Sequence, residues 1–139
     1  MKKRIVILGS TGSIGKSTLD VIVKDIKNFS IVLLSANNNY IELAKQAKKF
    51  KAENVLIKNK NLTNKLKNIL KKTKTKVYSG DISINNIIPR KIDFTMSSIV
   101  GIAGLQPTID AIKFSKVVAL ANKESIICAW NIILSHAKK

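Results

Sequence analysis

Arg4-Ile-Val-Ile-Leu8 runs directly into Gly9-Ser-Thr-Gly-Ser-Ile-Gly15 and on into Lys16-Ser-Thr-Leu-Asp-Val-Ile-Val23. The first segment is a short, unbroken apolar run, the pattern of a strand buried on both faces. From Ser17 onward Leu19, Ile22, Val23 and Ile26 recur at helical spacing, so a helix follows the turn. Between strand and helix stand Gly9, Gly12 and Gly15 at three-residue intervals. Glycine at such a junction permits a tight turn, a close approach of backbone to ligand, and close packing of helix on strand. The helix N-terminus meanwhile aims its unpaired N–H groups at an anion. Ser10, Thr11 and Ser13 add hydroxyl donors. The pyrophosphate of a dinucleotide is the natural occupant of a loop built this way.

Two other readings compete. Gly15-Lys-Ser-Thr18 supplies the Gly-Lys-Ser of a nucleoside-triphosphate loop, but that pattern needs a glycine five positions earlier, where Ser10 stands. Nor does an apolar strand end in an exposed acid able to hold magnesium, since Asp93 opens its strand. The third reading is an unliganded turn.

Outward from this junction the rhythm repeats. Residues 29–35 read as a strand and 40–51 as a helix with Ile41, Leu43, Ala44 and Ala47 on one face and lysines opposite. Residues 54–57, 62–72 and 76–79 repeat strand, helix, strand, and 81–89 is ambiguous. A strand at 92–96, a helix at 105–114 entered through Gln106-Pro107, a strand at 117–120 and a closing helix at 125–137 complete the chain. Residues 58–61 and 71–76 are polar enough for exposed loops. The alternation predicts an α/β fold, a Rossmann-like, doubly wound, mainly parallel sheet with helices on both faces, as one domain over residues 1–139. No repeat or linker interrupts it.

The end of the second strand bears on which dinucleotide. An acid there would accept hydrogen bonds from a ribose 2′-hydroxyl and repel a 2′-phosphate. The chain instead has Ser35-Ala-Asn-Asn-Asn39, and three neutral amides suit NADP better than NAD, although asparagines are also ordinary turn residues. Later, Val117-Val-Ala-Leu-Ala121 leads into Asn122-Lys-Glu-Ser125 at the same presumed sheet edge. Asn122 could contact cofactor, Lys123 neutralise an anionic substrate, and Glu124 accept a ribose or ring hydrogen bond. A plain helix N-terminus with glutamate in its first turn explains them equally well. Residues 97–104 add a further glycine-containing loop on that edge.

The chain's 139 residues carry 25 Lys+Arg against 8 Asp+Glu, a net charge of +17, at 45% hydrophobic content. That is enough apolar material for a core and too much for a disordered basic tail. All but Arg4 and Arg90 of the basic residues are lysine, and isoleucine and asparagine are abundant too, a drift expected of A+T-rich coding sequence. Twelve lysines lie between Lys45 and Lys76, opposed only by Glu53, and such a face would attract polyanions. With only Phe50 as an aromatic and no arginine in the stretch, a solvated face is favoured over a nucleic-acid site. A basic nucleic-acid or polyanion-binding module on a Rossmann-like scaffold is the alternative function. Residues 94–112 and 125–137 are too interrupted by Gly, Pro, Ser or Asn to read as membrane spans, and the N-terminus does not resemble a signal peptide. Cys128 alone allows no internal disulfide, which makes a reducing, cytoplasmic setting the expectation.

Leu8-Gly-Ser-Thr-Gly-Ser-Ile-Gly15 with Ser17-Thr-Leu-Asp-Val21, Ile99-Val-Gly-Ile-Ala-Gly-Leu105 with Pro107-Thr108, and Leu120-Ala-Asn-Lys-Glu-Ser125 together resemble the N-terminal NADPH-binding domain of the 1-deoxy-D-xylulose 5-phosphate reductoisomerase family. Order and spacing match across nearly the whole chain. The resemblance implies an NADPH-dependent enzyme of non-mevalonate isoprenoid biosynthesis that rearranges a deoxyxylulose phosphate and reduces the product to 2-C-methyl-D-erythritol 4-phosphate. It further implies homodimers needing Mg²⁺, Mn²⁺ or Co²⁺. It places cofactor phosphates and ribose on Thr11, Gly12, Ser13 and Ile14, the 2′-phosphate region on Asn37, Asn38 and Asn39, further cofactor contacts on Asn122 and Glu124, and substrate on Lys123. Asn37 and Trp130 stand where the family usually has glycine; Asn37 can still take a positive φ.

The family's metal-binding carboxylates and most substrate contacts belong to a central domain that begins just beyond Lys139. Asp20, Asp25, Asp81, Asp93, Asp110 and Glu42 lack metal-ligand spacing, and His136 reads as a surface or core histidine. The chain is therefore expected to carry no catalytic or metal-ligating residue and to be inactive alone, as one part of a split enzyme completed by a separate chain or as a truncated remnant.

Overall fold

In the computed structural model, which describes residues 1–88 and 91–138, β1 (Lys3–Leu8) pairs with β2 (Phe29–Ala36) on one side and β5 (Ile92–Ser97) on the other. With β3 (Asn54–Ile57), β4 (Lys76–Ser79) and β6 (Ser115–Leu120) the sheet has the order β4-β3-β2-β1-β5-β6. Every pairing is parallel. The chain thus steps outward from β1 to β4 in one direction, then returns to lay β5 against the other flank of β1. A crevice opens at the carboxyl ends of strands where the direction reverses, here between β1 and β5.

Helices α1 (Ser13–Val23), α2 (Tyr40–Phe50) and α3 (Thr63–Leu70) cover one face, and α4 (Leu105–Phe114) covers the other, with α5 (Lys123–Ala137) packed on α4. The two-residue period of a strand divides β1 between these layers. Ile5 and Ile7 join Leu19, Ile22, Leu43, Ala47 and Leu66 in one core, while Val6 and Leu8 join Ile84, Ile87, Ile88 and Ala111 in the other. The β1–β2 register shifts between Ile5 and Val6, and the consecutive Val32 and Leu33 accordingly share the second core. No described helix is long and apolar enough to cross a membrane.

Several boundaries differ from the sequence pattern. Helix α1 begins at Ser13, ahead of the apolar stripe, and its first turn, with Ser13, Ile14 and Lys16 exposed and only Gly15 buried, offers no buried side chain to mark it in the sequence. Val23 and Ile26, on the expected helical stripe, are exposed. In α2, Ile41 is exposed and Gln46 is buried with Leu43, Ala44 and Ala47. A 3-10 turn, Lys60–Leu62, precedes α3, which ends at Leu70. Strand β6 starts at Ser115, and α5 starts at Lys123 with a non-helical residue, Ala129 (φ −143°, ψ 24°), inside it. The ambiguous 81–89 stretch contains a 3-10 turn, Ile84–Asn86, that seats Ile84, Ile87 and Ile88 on the sheet; Pro89 lies outside the described residues.

At the amino end of the sheet the Arg4 N–H donates to Asp93 Oδ2 at 2.9 Å and the Lys116 ammonium donates to Oδ1 at 2.7 Å, tying β1 and β6 to β5. The Arg4 backbone donor, followed by Lys116, holds the Asp93 carboxyl below its ordinary value. A carboxyl lowered by folding stabilises the fold above its unfolded pKa, and that contribution disappears as pH falls through the folded value. The wild-type chain is therefore expected to melt above Asp93→Asn at neutral pH, with the gap closing below about pH 4 in parallel thermal unfolding series.

Candidate functional site

Three loops converge at the carboxyl end of the β1–β5 crevice. In the first, Gly9 has φ +79°, and a Cβ there would stand 2.9 Å from the Ser98 carbonyl oxygen. Its N–H donates to Ser35 Oγ at 3.1 Å, and the Ser10 N–H donates to the Ser35 carbonyl at 2.8 Å. The Ser98 N–H and hydroxyl both donate to the Leu8 carbonyl, at 3.0 and 2.7 Å. The glycine turn is thereby fixed from β2 on one side and from the β5 loop on the other.

The three glycines divide the work. A Cβ on Gly15 would lie 2.4 Å from the Gly9 carbonyl oxygen and 2.5 Å from Ser10 Cα, so α1 rests directly on the turn. A Cβ on Gly12 would meet nothing closer than the Gly9 carbonyl at 3.5 Å. Gly12 is the N-cap of α1, makes no side-chain cap, and has no acid following in the first turn. The N–H groups of Thr11, Ser13, Ile14 and Gly15 have no partner among the described residues. Unpaired first-turn amides carry the positive end of the helix dipole, and an anion can approach them across the bare face of Gly12.

Thr11 is half-buried, and Ser13 and Ile14 are exposed beside these amides. Ser10 is not a ligand donor: it is fully buried, and its hydroxyl points to the Ser35 carbonyl at 3.3 Å. Nor does Ser10 take a positive φ, and Lys16 lines a hollow of about 220 Å³ between α1 and α2 with Asp20, Glu42 and Lys45, which gives the nucleoside-triphosphate reading no support.

The turn after β2 lies one strand over, joined to the glycine loop through Ser35. Asn37, Asn38 and Asn39 are all exposed. The Asn39 side chain caps α2 by accepting the Glu42 N–H at 3.1 Å. The Asn59 side chain donates to Asn38 Oδ1 at 2.9 Å, and the Asn59 N–H donates to the Asn37 carbonyl at 3.1 Å. Asn37 does not use the positive φ that asparagine tolerates. The turn presents neutral amides and no carboxylate.

The third loop follows β6. Asn122 is buried; its Nδ2 donates to the carbonyls of Ile99 and Gly101 at 2.6 and 2.7 Å, and its Oδ1 accepts the Ser125 N–H at 3.1 Å as the cap of α5. One side chain thus closes the 99–101 loop and opens a helix. Gly104 is needed beneath it, since a Cβ there would fall 2.4 Å from Asn122 Nδ2. Lys123 is exposed and Glu124 half-buried in the first turn of α5. The structure therefore brings the segments holding Thr11–Ile14 and Asn122–Glu124 together through the Ser98 loop. Sequence reasoning missed Ser35, Ser98 and Gln46 as holders of the glycine turn. For Gln46 a signal existed, a lone amide among the apolar residues of α2.

Residues 5–130 match the family model described as 1-deoxy-D-xylulose 5-phosphate reductoisomerase. The chain belongs to that family. The reductoisomerase of Pelagibacter ubique is 50% identical over 99% of this chain, and that of Phocaeicola vulgatus is 45% identical over all of it. The chain spans about 36% of the length of these relatives. Among solved family structures, the Zymomonas mobilis reductoisomerase in complex with NADPH superposes with a TM-score of 0.93 at 36% identity, covering 99% of this chain and 36% of that one. A DOX-P reductoisomerase in complex with NADPH, fosmidomycin and magnesium gives 0.89 at 30% identity, covering 98% and 34%. Among the described residues of this family member, no group of three His, Cys, Asp or Glu side chains could hold a metal ion.

The contrast between Gly12 and Gly15 is directly measurable. In urea unfolding, Gly15→Ala is expected to cost about 1–3 kcal/mol through overpacking against the turn. Gly12→Asp is expected to hold stability or raise it by a few tenths of a kcal/mol, because aspartate is a favoured cap at extended backbone.

Proposed function

We propose that this chain is the NADPH-binding part of a 1-deoxy-D-xylulose 5-phosphate reductoisomerase, acting in non-mevalonate isoprenoid biosynthesis. The observation that carries it is the row of unpartnered amides at Thr11, Ser13 and Ile14 behind the open face of Gly12, at the sheet's reversal point. Two solved relatives bearing this fold are NADPH complexes.

In this reading the amides of Thr11, Ser13 and Ile14 bind the diphosphate, with Gly12 admitting it to contact distance. Asn37, Asn38 and Asn39 receive the 2′-phosphate: their amides donate, and the absence of a carboxylate removes the repulsion that would select NAD. Glu124 accepts from the ribose or ring, Asn122 shapes the neighbouring wall through the 99–101 loop, and Lys123 neutralises an anionic substrate. The cofactor, when bound, supplies a hydride. The described residues do not fit the family's divalent metal, so metal chemistry and the skeletal rearrangement are assigned to a part of the enzyme other than these described residues, and the isolated chain is inactive. A homodimeric assembly and a reducing cytoplasmic setting consistent with the lone Cys128 belong to the same proposal.

Fluorescence or calorimetric titration tests it. NADPH is expected to bind saturably below millimolar concentration and more tightly than NADH, and Gly12→Asp to abolish binding in a chain that still folds. No turnover is expected with substrate and magnesium. An intact fold that ignores millimolar NADPH contradicts the proposal. DNA or RNA retention that survives Gly12→Asp would support the polyanion-binding alternative instead.

A further inference from the structure

In the turn between β2 and α2 the protein itself engages the acceptors. The carbonyl oxygens of Asn37, Asn38 and Asn39 accept the N–H groups of Asn59, Tyr40 and Leu43 at 3.1, 2.8 and 3.0 Å. Asn39 Oδ1 accepts the Glu42 N–H, and Asn38 Oδ1 accepts from Asn59 Nδ2 at 2.9 Å. Among the described residues nothing pairs with the Nδ2 groups of Asn38 and Asn39, or with their main-chain N–H groups. What these two residues leave unpaired is donors alone. A phosphate dianion, whose oxygens only accept, matches that surface.

An asparagine side chain can turn either end outward, so its direction needs a cause. For Asn39 the cause is adjacent, since the Glu42 N–H can only donate. For Asn38 it lies one strand away. The Asn61 N–H donates to Asn59 Oδ1 at 3.0 Å, at the start of the 3-10 turn Lys60–Leu62. With its oxygen committed there, Asn59 presents Nδ2 to Asn38, and Asn38 answers with Oδ1, which leaves its own Nδ2 free. One main-chain donor thus decides, through two side chains, which end of the exposed Asn38 a ligand meets.

We propose that Asn59 is a positioning residue for selection of NADPH over NADH: it holds Asn38 as a donor toward the 2′-phosphate and does not touch the phosphate itself. The identity of the ligand rests on the proposed function above; the orientation of Asn38 does not.

The test measures NADPH and NADH affinities by fluorescence for wild type, Asn59→Ala, Asn38→Ala and the double variant. Asn59→Ala is expected to raise the NADPH Kd about fivefold and to leave that of NADH within twofold. In the Asn38→Ala background the same change is expected to have no further effect, because Asn59 acts through Asn38. Asn59→Asp keeps an acceptor for the Asn61 N–H, so it covers a folding failure of the alanine variant. Its carboxylate demands a donor from Asn38, and the Asn38 side-chain NH₂ of ¹⁵N-labelled chain is expected to exchange several-fold more slowly than in wild type. Equal weakening of NADPH and NADH overturns the proposal, as does an Asn59→Ala effect that persists without Asn38, or an Asn38 NH₂ unmoved in folded Asn59→Asp. If wild-type chain binds neither nucleotide, the functional assignment falls, while the Asn38 NH₂ signal still decides whether Asn59 sets its direction.

Discussion

The carboxyl edge of this sheet depends on how closely α1 approaches the end of β1. With 2.4 Å between the Gly9 carbonyl oxygen and the place where a Cβ of residue 15 would stand, only glycine lets the helix begin there. The contact points the first turn of α1 along the crevice opened by the strand reversal, and it leaves the turn's amides with no protein acceptor. An uncapped helix end is ordinarily a weakness to be satisfied by a side chain. Here Gly12 supplies no cap, and the bonds that fix the loop come from behind, through Ser35, Gln46 and Ser98. Rigid support with free donors in front is the arrangement an anion site requires.

The same economy appears around Asn122. Its carboxamide spends every bond on neighbouring backbone, capping α5 and pinning the 99–101 loop over Gly104. That side chain is buried, whereas the charged groups beside it, Lys123 and Glu124, remain at or near the surface.

Much of the fold was legible because strands buried on both faces and helices buried on one leave different apolar periods. The runs at β1, β2 and β3 and the three-glycine junction show plainly in the sequence. What was hidden followed from interactions that leave no period. The exposed first turn of α1 carries no stripe, the register shift beside Val6 is a property of the pairing, and Gln46 lies inward, its amide on the glycine turn, while Ile41 is exposed. At the candidate site, the three glycines are plain in the sequence, but which neighbouring hydroxyl is buried beneath the turn is not. Ser10, Thr11 and Ser13 look alike in sequence, and only the Ser35 carbonyl distinguishes the buried one. The lysine-rich stretch from Lys45 to Lys76 belongs to α2, α3 and the segments around them, and two of its members, Lys58 and Lys60, flank Asn59, which bonds the Asn37–Asn38 turn.

The most direct measurement of the central claim is a ¹⁵N–¹H spectrum recorded as NADP⁺ is added to the folded chain. The account predicts that the largest shifts fall on the amides of Thr11, Ser13 and Ile14, with a second group at Asn37 to Asn39. Shifts confined to the lysine-bearing surfaces of α2 and α3, with the glycine-loop amides unmoved at saturation, would contradict it.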